Sequence, residues 1–206
     1  MSYGEPNELL DRDDIFELFI DLEDSDISQD DPRCNQEASK RLKKVRQLDL
    51  KNLLEEDTKK TLQLFDIFET TVREIDLREC QNVGEFGYHH LTRRVVFCKQ
   101  LRVLSVDVDM LSFFLRCHWM LARLKLQKLV IDTIVSYDDQ MNAERKLLET
   151  SFISQFVHAL GSVGHLEFTQ NYVVYPGLFR QLGTVSSIKV HTKTRAQNSV
   201  EFMKNS

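Results

Sequence analysis

The sequence predicts an α/β fold in which short parallel strands alternate with helices, each strand–helix unit stacking on the next as a small solenoid. Three observations carry that expectation. A six-residue pattern with apolar residues at its first, fourth and sixth places occurs six times along the chain. Stretches of helical period lie between the copies. No phosphate-binding glycine loop, of the kind that opens a nucleotide-binding sheet, interrupts the alternation.

The pattern is plain in "VREIDLREC", where Val72, Ile75 and Leu77 hold the apolar places. It occurs also as "VRQLDL" (Val45, Leu48, Leu50), "LRVLSV" (Leu101, Leu104, Val106) and "LQKLVI" (Leu126, Leu129, Ile131). "VGHLEF" (Val163, Leu166, Phe168) and "VSSIKV" (Val185, Ile188, Val190) complete the set, at intervals of 27, 29, 25, 37 and 22 residues. Apolar residues at places four and six with polar neighbours have the period of a strand with one buried face. The first apolar residue enters the core ahead of the strand. One copy cannot bury its own apolar edge, so stacked neighbours must cover it.

Two copies run further, with Asp109 and Leu111 in one, and Asn171 and Val173 in the other, at places nine and eleven; Cys80 fills place nine of the second copy. Over about residues 45–191 the chain resembles the leucine-rich repeat, L-x-x-L-x-L-x-x-N/C-x-L. Copies one, four and six depart from it, with Leu53, Ile134 and Lys193 where Asn or Cys is expected. An inward polar group at place nine satisfies backbone groups exposed as the chain bends away. The unit length resembles the longer, ribonuclease-inhibitor-like form. That resemblance implies about six strand–helix repeats, a parallel sheet on the concave side and helices outside.

Between the copies, "LEEDTKKTLQLFDIF" sets Leu62, Phe65 and Phe68 along one side of a helix. "MLSFFLRCHWMLARL" is apolar nearly all round and reads as a well-covered helix. "AERKLLETSFISQFVHAL" places Leu148, Phe152, Phe156 and Leu160 four apart, and "VSYDDQMN" before it reads as an inserted loop. The competing expectation is an ordinary α/β sheet, which also alternates short apolar strands with helices.

With 206 residues, 42% hydrophobic and 29% charged, the composition is that of one globular domain plus a leader. Seven glycines and three prolines are too few for the tight turns of an all-β protein. No apolar run reaches the length of a membrane span. Cys34, Cys80, Cys98 and Cys117, without a visible export signal, read as reduced thiols of the cytosol or nucleus.

The net charge of −5 hides an asymmetry: residues 1–31 hold twelve acids and one arginine, leaving +6 on the remainder. The expected division is an acidic leader over 1–36, a repeat domain over 37–192 and a polar tail over 193–206. Within the leader a helix is expected over 13–23, with Ile15, Leu18, Phe19 and Leu22 on one face and a capping Asp13 or Asp14. Two roles suit it: an N-terminal helical cap over the open end of the repeats, beside the basic run "KRLKKVR", or a recognition element for a partner's groove. Ser28, among acids, is a possible phosphate acceptor.

In such a coil, places three, five and seven of each copy leave the concave sheet. The columns read Gln47, Glu74, Val103, Lys128, His165, Ser187; then Asp49, Asp76, Ser105, Val130, Glu167, Lys189; then Lys51, Arg78, Asp107, Asp132, Thr169, His191. From these the expected protein-binding residues are Asp49, Asp76, Arg78, Ser105, Asp107, Val130, Asp132, Glu167 and Lys189. The lack of a basic stripe with interleaved aromatics speaks against single-stranded nucleic acid.

Catalytic motifs are not found: the chain has no G-x-x-x-x-G-K-[ST], G-x-G-x-x-G or G-x-S-x-G. Cys80, His89, His90 and Cys98 lack the paired C-x-x-C spacing of a zinc site. Cys117 and His118 are adjacent on a helix, so their side chains diverge by roughly 100°. Tyr137, Asp138 and Asp139 read as loop surface. The expectation is a non-catalytic, cofactor-free intracellular adaptor or assembly subunit, gripping a protein partner through the concave sheet or a helical flank. The alternatives are an F-box-like substrate receptor of a ubiquitin ligase, though "NELLDRDDIFELFIDL" lacks the leading Leu-Pro, and a small α/β enzyme.

Overall fold

A computed structural model of the chain describes residues 8–10, 45–51, 53–80, 83–132, 143–169, 182, 185–192 and 198–203. The fold is α/β, and the chain divides into two compact units, Met1–Gln100 and Leu101–Ser206. The leader helix expected over 13–23, Ser28, Cys34, Ile134, the insertion 135–142 with Tyr137, Asp138 and Asp139, and Asn171, Val173 and Lys193 lie outside the described residues.

In the first unit, β1 (Glu8–Leu10), β2 (Val45–Asp49) and β3 (Glu74–Asp76) pair in parallel in chain order. The β2–β3 register sets Gln47 beside Glu74, Leu48 beside Ile75 and Asp49 beside Asp76. Equivalent places of the two copies are therefore neighbours. Val45, Leu48, Leu50, Val72, Ile75 and Leu77 are all at most 2% exposed, so the residues that define the pattern are core. β1 falls in the segment read as leader. Three residues are too short for a periodic signal, and only the neighbouring β2 edge makes them a strand.

Helix α1 (Glu55–Phe68) follows β2 and α2 (Gly84–Phe97) follows β3. α1 starts at Leu54 without a side-chain cap, but Glu55 and Asp57 in its first turn suit the positive end of the helix dipole. The buried hydroxyls of Thr58, Thr61 and Thr92 donate to the carbonyls of Leu54, Asp57 and Tyr88, four residues back, so none is left unpaired. α2 buries Gly87, Leu91, Thr92, Val95 and Val96 along one stripe.

The turn after β3 explains the cysteine at place nine. Glu79 adopts φ 63°, in the left-handed region that non-glycine residues seldom enter. Cys80, next in the chain, is fully buried, and its Sγ donates to the carbonyl of Leu50, 2.9 Å away and one copy earlier. The Tyr88 hydroxyl donates to the Cys80 carbonyl at 2.5 Å. The side chain thus satisfies a backbone acceptor where the chain bends out of the strand.

In the second unit β4 (Val103–Asp107), β5 (Lys125–Asp132), β6 (Ser162–Phe168) and β7 (Ser187–Thr192) are parallel neighbours in chain order. Leu104, Leu129, Leu166 and Ile188 lie side by side, as do Val106, Ile131, Phe168 and Val190. All eight are buried. β8 (Asn198–Met203) then pairs with β7 antiparallel, Val200 opposite Val190 and Phe202 opposite Ile188. The segment expected as a polar tail thus holds a strand, paired to the edge of β7 over Asn198–Met203.

Three details differ from the sequence expectation. "MLSFFLRCHWMLARL" is two short helices, α3 (Leu111–Leu115) and α4 (His118–Leu121), broken at Cys117, and Trp119 is 66% exposed. The two helices bury Leu111, Phe114, Met120 and Leu121. Asp109 is exposed rather than turned inward, because Val108–Met110 winds into a 3-10 turn that sends Val108, Met110 and Leu111 into the core instead. α5 (Ala143–Ala159) buries Ile153, Phe156 and Val157 and leads to buried Leu160, while Leu147 and Leu148 near its start are more than half exposed.

Candidate functional site

In the first unit, the sheet positions expected to bind a partner form a closed set of charges. The Lys51 and Arg78 backbone N–H groups each donate to the Asp two residues before them, at 3.1 Å, so Asp49 and Asp76 turn the chain in the same way. Arg78 also grips Asp76 from both sides of its guanidinium: Nη2 donates to Oδ2 at 2.6 Å and Nε to Oδ1 at 2.9 Å. Lys51 Nζ lies 3.5 Å from Asp49 and 3.3 Å from Asp76, bridging the two copies. Two acids and two bases neutralise one another at the ends of β2 and β3.

Burial alone would raise the Asp76 carboxyl; the Arg78 side chain and backbone N–H, with a weaker field from Lys51, outweigh it and hold the pKa below the ordinary 3.8. A group depressed on folding contributes stability that is complete above its unfolded value and lost as pH falls through its folded value. Asp76→Asn therefore costs about 1–2 kcal/mol at neutral pH, from charge-assisted hydrogen bonds. In urea titrations the gap from wild type closes below pH 3.8. An unshifted midpoint at pH 7 contradicts this account.

In the second unit the register runs Ser105, Val130, Glu167, Lys189 across the four parallel strands, flanked by Val103, Lys128, His165, Ser187. Glu167 accepts from Lys128 Nζ at 2.7 Å and lies 3.8 Å from His165 Nε2. His165 Nδ1 is 2.5 Å from the Ser187 hydroxyl. These groups are part-exposed, the Lys128 side chain by 40%. Ser105, Val130, Asp107 and Asp132 are instead buried, at 4–7% exposure. Sequence alternation places them on the polar face; it carries no information about how deeply that face is covered.

Asp107 and Asp132 are register neighbours, and one oxygen of Asp132 is buried without a hydrogen-bond partner, as is the Thr169 hydroxyl. Of the nine expected binding residues, Asp49, Asp76 and Arg78 are brought together in the first unit. Glu167 and Lys189 form the accessible part of the second. Lys51, Lys128 and His165 stood in the sequence columns but were not singled out, and they complete both charge clusters. Lys51 and Lys128 each reach a carboxylate diagonally, on the next strand and in the next column (Asp76 and Glu167), and His165 reaches Glu167 along its own strand.

The described cysteines, Cys80, Cys98 and Cys117, are buried thiols. Burial, with the charge of Glu69, pushes the Cys98 thiol up to about 12, so it is no nucleophile at neutral pH. Among the described residues no group of three His, Cys, Asp or Glu side chains is arranged to hold a metal ion. Nor is any helix there long and apolar enough to cross a membrane.

Comparison with family profiles, curated proteins and solved structures finds no match.

Proposed function

We propose that this chain is a non-catalytic protein-binding module of leucine-rich-repeat type, acting as an intracellular adaptor or assembly subunit. The observation that supports the reading is the register. Within each unit, equivalent places of successive copies stand side by side, so polar side chains from separate copies make one continuous surface. Lys128, His165, Glu167, Ser187 and Lys189 present donors, acceptors and both signs of charge within three neighbouring strands. Mixed charge at partial exposure selects a complementary protein surface and repels a mismatched one.

The test is affinity purification with mass spectrometry, using the intact chain beside Lys128→Glu/Lys189→Glu. Both lysines sit on the polar face, so the variant keeps the wild-type circular dichroism, while losing the Lys128–Glu167 pair and gathering like charges lowers its melting temperature without unfolding it. Partners retained by the wild type fall at least tenfold with the variant. Unchanged recovery of the same partners removes the sheet face from the reading.

A further inference from the structure

We infer that the outward face of α2 is a docking site for an acidic peptide segment of a partner protein, anchored by an aromatic side chain. Phe86, His90, Arg93 and Phe97 follow at steps of four, three and four, which is one stripe of a helix, turned away from the buried Leu91–Val95 stripe. Phe86 is 68% exposed, and its ring lies against that of His90, with centroids 4.1 Å apart. His90, Arg93, Arg94 and the half-buried Phe97 line a cleft of about 270 Å³ at the C-terminal end of the helix.

The chemistry of that lining selects its occupant. Among the described residues, every polar side chain lining the cleft is an arginine or a histidine. Arg93 is exposed and has no ion pair among the described residues. Arginine clusters recognise carboxylate-rich or phosphorylated segments through paired N–H donors. An exposed ring beside such donors is the composition of an interface hot spot rather than of ordinary solvated surface. The cleft is at the small end for an organic ligand, whose sites run from roughly 300 Å³ upward, but it takes one acidic side chain at a time. The α2 surface shares no residue with the sheet face, so either stands if the other fails.

The probe is a fluorescein-labelled synthetic peptide with two phenylalanines four apart among glutamates, titrated with the full chain and read by fluorescence polarisation. Saturable binding is expected. It weakens at least tenfold in Arg93→Glu and several-fold in Phe86→Ser, with circular dichroism unchanged in both. The same charge change at exposed Lys125, as Lys125→Glu, leaves it unaffected. Three results overturn the inference: no saturable binding of the peptide, equal weakening by Lys125→Glu, or tighter binding of a single-stranded oligonucleotide of matched charge.

Discussion

Leu129→Ala lowers stability by about 2–5 kcal/mol, measured as a shift of the urea midpoint at unchanged slope. Leu129 is fully buried and stands between Leu104 and Leu166 in the register, so it holds place four in the middle of the second unit's sheet. Removing its side chain forfeits the transfer free energy of the lost carbons. It also leaves a cavity that Leu104 and Leu166 cannot close, because their own strands are fixed by backbone hydrogen bonds on either side. The comparison is Lys125→Ala on the same strand, an exposed position where the change stays within about 0.5 kcal/mol. Leu129→Ala and Lys125→Ala with equal midpoints are incompatible with a core built from these positions.

Gly161→Ala costs about 3 kcal/mol, for a different reason. Gly161 connects α5 to β6, and its N–H donates to the Leu124 carbonyl at 2.9 Å. A Cβ there would sit 2.4 Å from the Ala122 carbonyl oxygen and 3.0 Å from that of Leu124. Both are backbone atoms of the turn that opens β5, so no side chain can swing aside. Relief requires the α5–β6 connection to move away from that turn, breaking the hydrogen bond that joins them. A melting temperature equal to that of wild type refutes the close approach. Nothing in the sequence marks this glycine among the seven, because the atoms it must avoid lie almost forty residues earlier.

That contrast shows which part of the molecule was legible beforehand. The apolar places of all six copies occupy strands or the residues that flank them, and they are buried. Local alternation is enough to find them, since a strand with one buried face repeats every two residues. Cys80 was legible because an inward polar group at a bend must meet a backbone acceptor, and it meets the Leu50 carbonyl. Asp109, alike in position, was misread: Val108 and Met110 won the inward places and left the carboxylate outside. Trp119 and Leu148 were misread in the same way, since an apolar residue records only that burial is favourable, not that the core has room.

The candidate site divides along the same line. Which residues share the polar face followed from counting by twos; the register sets the members of the first two columns side by side within each unit, and Asp107 beside Asp132 in the third. Which of them a partner can reach did not follow. Asp107 and Asp132 are buried while Lys128 and Lys189 are accessible, at sequence positions of the same kind. The strands β1 and β8 were also invisible, because each exists only through the edge it pairs with.

By itself, then, the sequence determined the alternation of strands and helices, the identity of the buried rows and the membership of the polar columns. These are set by the covalent period of the backbone and by the aversion of apolar side chains to water, both local properties. Only the tertiary structure decided the depth of burial along each column, the ion pairs that neutralise Asp76 and Glu167, and the exposure of Phe86 and Arg93 on α2. Those depend on distances between segments far apart in the chain, which no local pattern encodes.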